Sequence, residues 1–477
     1  MDANLDKISF DVHTLSALYA SGRCSPVDIV NQLYARILNN DNNIWIFLRS
    51  QEDVMADVEI ITSKVTKSLP LFGVPFAVKD NIDVAGIPTT AGCKDYEYIP
   101  SVSSPTVSRL IEAGAIFIGK TNMDQFATGL NGTRSPFGIC HNSFVKKYIA
   151  GGSSSGSAVA VASGLVSFSL GTDTGGSGRI PAAFNNIVGF KPSKGLLSTT
   201  GLVPACRSID CISIFALTVR DAHEVFCLIN EFDNTDCFAR HDREQVIKSS
   251  SSFTFGVPSP GQIDFFGDTN SSVLFKSAEN LLEKIGGTPI SIDMSPFFEV
   301  QKLLYDGPWL AERYGSIKNV LTDHPDSVHP VIRSIVSAGA DIKADSCFNA
   351  FYNLKTQIRK SEEVWDQVDM LLLPTAATIF SIDDLLHDPI YKNSVLGRYT
   401  GFVNLMDLSA ISLPMGFRQD GLPLGISLIA PALHEHYLSA IGHGYQLVMG
   451  GYLGATGCSF PKLLSQPLHG IQCKGET

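Results

Sequence analysis

AGGSSSGSAVAVASGLVSFSLGTDTGGSGRIP, residues 150–181, sets two glycine- and serine-rich loops around a segment that reads as core. The first loop, AGGSSSGSA (150–158), runs into SAVAVASG (157–164), which reads as a helix opening on a glycine loop. LVSFSLGTD (165–173) then alternates large apolar residues with serine or small ones, the period of a strand. The second loop, GTDTGGSGRIP (171–181), has four glycines and no strongly apolar residue before Ile180. Either the loops are two plain turns, or their backbone N–H groups and hydroxyls surround one reacting atom.

The same helix-and-strand rhythm extends outward. DVHTLSALYASGR and SPVDIVNQLYARIL read as two helices within 11–40, the second with a serine cap and proline at its first position. FGVPFAVKDNIDVAG (72–86) contains a short apolar strand, FAV, that feeds Lys79. TVSRLIEAG (106–114) is a helix ending in glycine, and AIFIGKT (115–121) a buried strand. FTFGVPS (253–259) and VDMLLLPTAA (368–377) are further strands, the second with the continuous apolar run of a fully buried one. Residues 270–365 between them are chiefly helical, and SSSS (249–252) is a surface loop. Helix then strand, repeated, predicts an α/β protein with a mostly parallel sheet.

Bulk composition narrows the function classes. The 477 residues are 44% hydrophobic and 17% charged, enough for a large core. A net charge of -11 and no basic run argue against nucleic acid as a partner. No signal-peptide layout opens the chain, and the longest apolar-leaning run, AVAVASGLVSFSL (158–170), is too short and serine-rich to span a bilayer. A cytoplasmic protein without a membrane segment is expected. The ten cysteines form no C-x-x-C, and no H-E-x-x-H occurs, so reduced, mostly buried thiols are expected and no metal site.

The residues alone leave three readings of the loops. GSSSG (152–156) fits a G-x-S-x-G elbow with Ser154 as nucleophile, though any Gly/Ser string fits it easily. A phosphate could sit at a helix N-terminus, but the chain has no G-x-x-x-x-G-K-[ST]. Or the loops act together, with Ser177 attacking a carbonyl and Thr174, Gly175, Gly176 and Ser177 offering backbone donors to the oxyanion. The third reading needs a base, and Lys79 at a strand end is the candidate. With an ordinary pKa of ~10.4, only about one lysine in 2,500 is neutral at pH 7. Bringing that pKa to ~8 takes about 3 kcal/mol from the folded state, so the lysine must be buried. A strand-end lysine is otherwise a solvated charge, and a serine among glycines a turn residue.

GVPFAVKDN (73–81), TNMDQFATG (121–129), AGGSSSGSAVAVASG (150–164), SLGTDTGGSGRIPAAFNNIVGFKPS (169–193) and GLPLGISLIAPA (421–432) resemble the amidase signature family. The resemblance runs from about residue 10 to about 440 and is most specific over 150–193. It implies one α/β domain, a large mixed sheet wrapped by helices, and amide hydrolysis by a Ser–cis-Ser–Lys triad. Position by position, Lys79 matches the family's lysine, Ser153 the serine after a cis peptide, and Ser177 the nucleophile. Ser154 then becomes a supporting neighbour, and Asp173 and Arg179 hold the loop. The chain departs from the usual pattern in reading GGSSSGS for GGSSGGS and GGSGR for GGSIR, which touches loop shape but no triad position.

TNMDQFATGLNGTRSPFG (121–138), LLYDGPWLAERYGSI (303–317) and GRYTGFVNLMDLSAISLPMGF (397–417) narrow the resemblance to the allophanate hydrolase subfamily, the amidase partners of urea carboxylase. That resemblance implies a small anionic amide substrate, contacted by Tyr305 and Arg313, with Ser154 beside the triad also assigned to substrate binding and Asn131 a weaker candidate. A helix would put Tyr305 and Arg313 a little over two turns apart and on one face, unless Gly307-Pro308 breaks it. No metal or organic cofactor is implied. A homodimer, and a urea carboxylase acting separately or as a fused part, are the partners expected. Residues 1–455 are assigned to the amidase domain and 456–477 to a tail or a linker toward a missing C-terminal domain. The amidase component of a glutamyl-tRNA amidotransferase, with the same triad, and a non-catalytic scaffold are the rival readings.

Overall fold

Residue alternation along the buried strands separates the apolar side chains into layers. Within strand β2 (Pro75–Lys79), Phe76 and Val78 join one hydrophobic cluster and Ala77 another. In β6 (Cys211–Ala216), Ile212 and Ile214 face the first cluster and Phe215 the second. A sheet whose two faces are both apolar must be covered by helices on both sides. The computed structural model describes residues 8–40, 42–64, 69–242, 250–305, 307–461, 464 and 468.

The other strands are β1 (Trp45–Leu48), β3 (Ile116–Thr121), β4 (Phe168–Asp173), β5 (Val188–Lys191), β7 (Phe253–Pro258), β8 (Gly287–Ile292), β9 (Met370–Pro374), β10 (Leu408–Phe417) and β11 (Pro423–Pro431). They form one 11-stranded sheet in the order β1-β3-β2-β4-β6-β5-β10-β11-β9-β7-β8. The expected single mixed sheet surrounded by helices is present; the expectation that it is mostly parallel is corrected. Parallel pairing is confined to β3-β2-β4 and β9-β7-β8. The centre, from β4 through β6, β5, β10 and β11 to β9, is antiparallel throughout. Crossover helices within 70–175 and within 253–374 create the two parallel parts, whereas β10 and β11 join through a tight turn, a connection open only to antiparallel strands.

Local signals behave as expected. Helix Pro26–Leu38 starts with a capping box between Ser25 and Asp28, and helix Ser155–Ala162 is buried along its whole length. The 270–365 region holds five helices, Thr269–Lys284, Ser295–Tyr305, Trp309–Asp323, Pro330–Ser337 and Ala344–Trp365. It also supplies β8, which the helical reading missed. Ser250–Ser252 precede β7 as loop. Cys24, Cys93, Cys140, Cys206, Cys211, Cys237, Cys347 and Cys458 are free, the first five of them buried. Cys227 is disulfide-bonded, which departs from the expectation of reduced thiols; sequence spacing carries no information on such a pairing. Among the described residues no helix is long and apolar enough to cross a membrane. Most of the expected tail, 456–477, lies outside the described residues.

Candidate active site

Strand β2 ends on Lys79, whose side chain has no solvent exposure. Its Nζ lies 2.8 Å from Ser153 Oγ and 2.7 Å from Thr172 Oγ1 on the adjacent strand β4. Ser153 follows a cis peptide bond from Gly152 and stands just before helix Ser155–Ala162. β4 runs straight into the loop that carries Ser177, 2% exposed. Ser177 Oγ makes no hydrogen bond among the described residues, a geometry common where a catalytic bond tightens only around substrate. Burial pulls the Lys79 pKa from 10.5 down to about 7, against the opposing charges of Asp124, Asp210 and Asp173. A lysine in that state is partly neutral at physiological pH and can accept a proton.

Asp173 and Arg179 hold the Ser177 loop in shape. Arg179 donates to both carboxylate oxygens, at 2.8 and 2.9 Å, and the amides of Gly176 and Gly178 donate to the same carboxylate at 2.8 and 3.0 Å. Asn404 closes the ring, accepting from Arg179 and donating to the Asp173 carbonyl. Burial would raise the Asp173 pKa, but the charge and hydrogen bonds of Arg179 prevail and hold it below the usual range. The loop corrects one expectation. The Gly176 N–H is committed to Asp173 and is not an oxyanion donor. The amides of Thr174, Gly175 and Ser177 have no acceptor among the described residues. Gly176 is glycine for another reason: its φ is +132°, and a Cβ there would collide with Thr400 Oγ1. The Thr174 hydroxyl donates to Asp210, which also takes the amides of Ala205 and Cys206. Burial raises Asp210 to about 6, offset in part by those bonds and by Arg313.

The residues read as substrate contacts divide into two groups. The Ser154 hydroxyl donates to the Thr172 carbonyl at 3.1 Å and accepts from its amide at 3.3 Å. It is a brace between the two loops, not an elbow nucleophile. The Asn131 side-chain amide donates to Asn393 Oδ1 and its side-chain carbonyl accepts from the Thr133 amide and hydroxyl, so the residue ties its loop to helix Tyr391–Leu396. Tyr305 and Arg313 are different. The helix breaks between them, Tyr305 closing Ser295–Tyr305 and Arg313 lying within Trp309–Asp323, so the one-helix spacing is replaced by a two-helix corner. A methyl placed on Gly175 would lie 3.0 Å from the Tyr305 hydroxyl, which puts that hydroxyl over the nucleophile loop. Burial raises the Tyr305 pKa to about 12, keeping it a neutral donor. Arg313 is 7% exposed, and its one side-chain hydrogen bond among the described residues is to Thr128 Oγ1, 3.1 Å away. No carboxylate of a described residue lies within 4.0 Å of it. A buried guanidinium without an anion is costly, and an incoming carboxylate relieves that cost.

Sequence reading missed Arg134, Asp124 and Thr128, all within TNMDQFATGLNGTRSPFG. Asp124 takes the amides of Asn131, Gly132 and Arg134 on its carboxylate, while its own amide donates to the Ser153 carbonyl. The segment 124–134 therefore starts at the Lys79 partner and ends beside Arg313. Two charged residues inside an otherwise uncharged stretch were the available signal. Outside this pocket, His223, Cys227 and His436 have ligand atoms within 4.8 Å of one another. The two imidazoles are hydrogen-bonded to each other and Cys227 is in a disulfide, so they do not make a ready metal site.

A sheet of this topology, with a buried lysine paired to a serine behind a glycine loop, places the molecule among known proteins. The Amidase family model matches residues 28–438, and the chain belongs to that family. It is 42% identical to urea amidolyase of Saccharomyces cerevisiae over 440 residues, 91% of this chain and 24% of that protein. It is 34% identical to a component of the glutamyl-tRNA(Gln) amidotransferase of Prochlorococcus marinus over 460 residues, 88% of this chain and 93% of that one. The structure of S177A Kluyveromyces lactis allophanate hydrolase superposes with a TM-score of 0.90 at 36% identity, covering 96% of this chain and 76% of that chain. The chain spans about a quarter of the length of the curated urea amidolyases it matches.

Proposed function

We propose that the chain is an amide hydrolase whose substrate is allophanate, a small urea-derived amide ending in a carboxylate. The observation that carries this reading is the meeting, across one glycine loop, of a buried Lys79–Ser153 pair and an Arg313 that lacks an anionic partner among the described residues. Similarity to urea amidolyase and to allophanate hydrolase supports it.

In this reading each residue has a role. Ser177 Oγ attacks the terminal amide carbonyl, its proton passing to Ser153 as the Ser153 proton passes to Lys79. The amides of Thr174, Gly175 and Ser177 are the donors open to the oxyanion. Lys79 returns the proton through Ser153 to the nitrogen, and ammonia leaves. Water then releases N-carboxycarbamate, which breaks down to further ammonia and carbon dioxide. Arg313 and the Tyr305 hydroxyl hold the carboxylate end. The same proposal includes one amidase domain over 1–455, a cytoplasmic setting, a homodimer, and a urea carboxylase, fused or separate, as supplier of substrate.

The test is ammonia release from allophanate, glutamine, urea and malonamide, with Ser177→Ala as the blank. The expected result is preference for allophanate, lost in the blank, with Arg313→Ala raising KM for allophanate far more than for malonamide. Glutamine turnover that needs further protein components would transfer the chain to the amidotransferase reading, which the 34% identical relative supports. No turnover of any amide would leave the scaffold reading.

A further inference from the structure

Phe126 and Ala127, both buried, adopt left-handed φ values of 51°. Side chains other than glycine, asparagine and aspartate rarely do so, and two in succession form a strained backbone of the kind that gathers at ligand sites. The next residue, Thr128, presents two oxygens to two different arginines. Its carbonyl accepts from Arg134 Nη1 at 3.0 Å, and its hydroxyl accepts from Arg313 Nη1 at 3.1 Å. Thr128, Arg134 and Arg313 are all buried.

The second arginine is placed with care. Its other terminal nitrogen donates to the Pro389 carbonyl at 2.6 Å, so main-chain oxygens hold both ends of the fork. As with Arg313, no carboxylate of a described residue lies within 4.0 Å of its guanidinium. Burial lowers the Arg134 pKa, the charge of Asp124 opposes that, and the charge of Arg313 adds to it. Asp210 and Glu312 stand near Arg313 without pairing with it, and an anion held between the two guanidinium groups and Tyr305 is attracted by both of them.

Resting on the reading that the substrate is anionic, we propose that Thr128 is the positioning residue of a two-arginine anion pocket. Its hydroxyl aims Arg313 at the substrate carboxylate. Its carbonyl, with that of Pro389, fixes Arg134 as a second positive charge that attracts the anion without touching it. The strained turn at Phe126–Ala127 presents both oxygens at once. The pocket thereby selects a carboxylate-bearing amide over a neutral amide of the same size.

The measurement is steady-state hydrolysis of allophanate and malonamide by the purified chain, wild type beside Thr128→Val and Thr128→Ser, with thermal melts of each. Valine keeps the shape and removes the hydroxyl. Losing a hydrogen bond to a charged group predicts a fall of about tenfold in the allophanate-to-malonamide ratio of kcat/KM, mostly through KM for allophanate. Serine restores the hydroxyl and recovers the ratio to within about threefold of wild type. An unchanged ratio in Thr128→Val, or equal losses on both substrates in both variants, overturns the assignment. A wild-type enzyme without preference for allophanate refutes instead the functional reading beneath it. If the valine variant melts early, the serine variant and the charge-removing Arg134→Gln decide: a lower ratio in Arg134→Gln with a normal ratio in Thr128→Ser supports the pocket, and a normal ratio in Arg134→Gln overturns the role of the second charge.

Discussion

Replacing Lys79 with methionine removes the proposed base and leaves a side chain of similar length. Burial lowers the Lys79 pKa from 10.5 to about 7. At ~1.4 kcal/mol per pKa unit, that shift stores about 5 kcal/mol of disfavoured ionisation in the folded state. The sign follows from proton counts. Between pH 7 and 10.5 the unfolded chain carries the proton and the folded chain does not, so wild-type stability rises with pH across that window. Below pH 7 both states are protonated and the full burden is present. From pH 7 to pH 9 the wild type should gain about 2 kcal/mol from this one group. The methionine variant has no such gain. At pH 7 it escapes about 4 kcal/mol of the burden and loses two hydrogen bonds of about 1 kcal/mol each, to Ser153 and Thr172. It should therefore be about 2 kcal/mol more stable than wild type at pH 7, about equal near pH 9, and inactive at both. Urea denaturation of the two proteins at pH 6, 7, 8 and 9 measures this. A difference that does not change with pH would refute a buried lysine with a depressed pKa, and near-normal turnover would refute its role as the base.

The same ionisation gives wild-type kcat/KM for malonamide, a substrate that does not itself titrate, an acid limb centred near pH 7, and a limb centred near pH 10 would contradict the buried base. Asp173→Asn leaves the Arg179 charge without its carboxylate in a fully buried place, and should cost about 3–5 kcal/mol by urea denaturation; a loss under about 1 kcal/mol would mean that Asn404 and Thr400 hold Arg179 by themselves. Gly175→Ala places a methyl 2.6 Å from Leu304 Cδ2 and 3.0 Å from the Tyr305 hydroxyl, so it should displace Tyr305 and raise KM for allophanate about tenfold; unchanged KM would take Tyr305 away from the substrate.

The rank of the residues in the site changes once the fold is seen. Gly176 looked like an oxyanion donor in a glycine loop, but Asp173, three residues earlier, claims its N–H. Asn131 was a weaker candidate contact from the subfamily resemblance, but its side-chain amide is engaged by Asn393, 262 residues away. Arg134 drew no reading from the sequence, yet it is buried near Arg313. Each difference comes from a partner that local patterning does not encode, most of them far along the chain.

By itself the sequence determined the α/β class, the strands that carry Lys79 and the Ser177 loop, and the three residues of the proposed triad. Short-range rules govern the class and the strands, through a period of two in the strands and glycine and serine at the loops, whereas the three triad residues come from the resemblance of the chain's blocks to the amidase signature family. Tertiary structure decided the rest. The antiparallel centre of the sheet depends on which strands become neighbours, and strand pairing is non-local. The depressed Lys79 pKa depends on water being excluded by layers on both faces of that sheet. The anion pocket depends on a loop at 124–134 meeting two helices that break at Gly307-Pro308. Burial and desolvation belong to the assembled molecule, and they make a strand-end lysine the proposed base and two buried arginines the proposed receptor for a carboxylate.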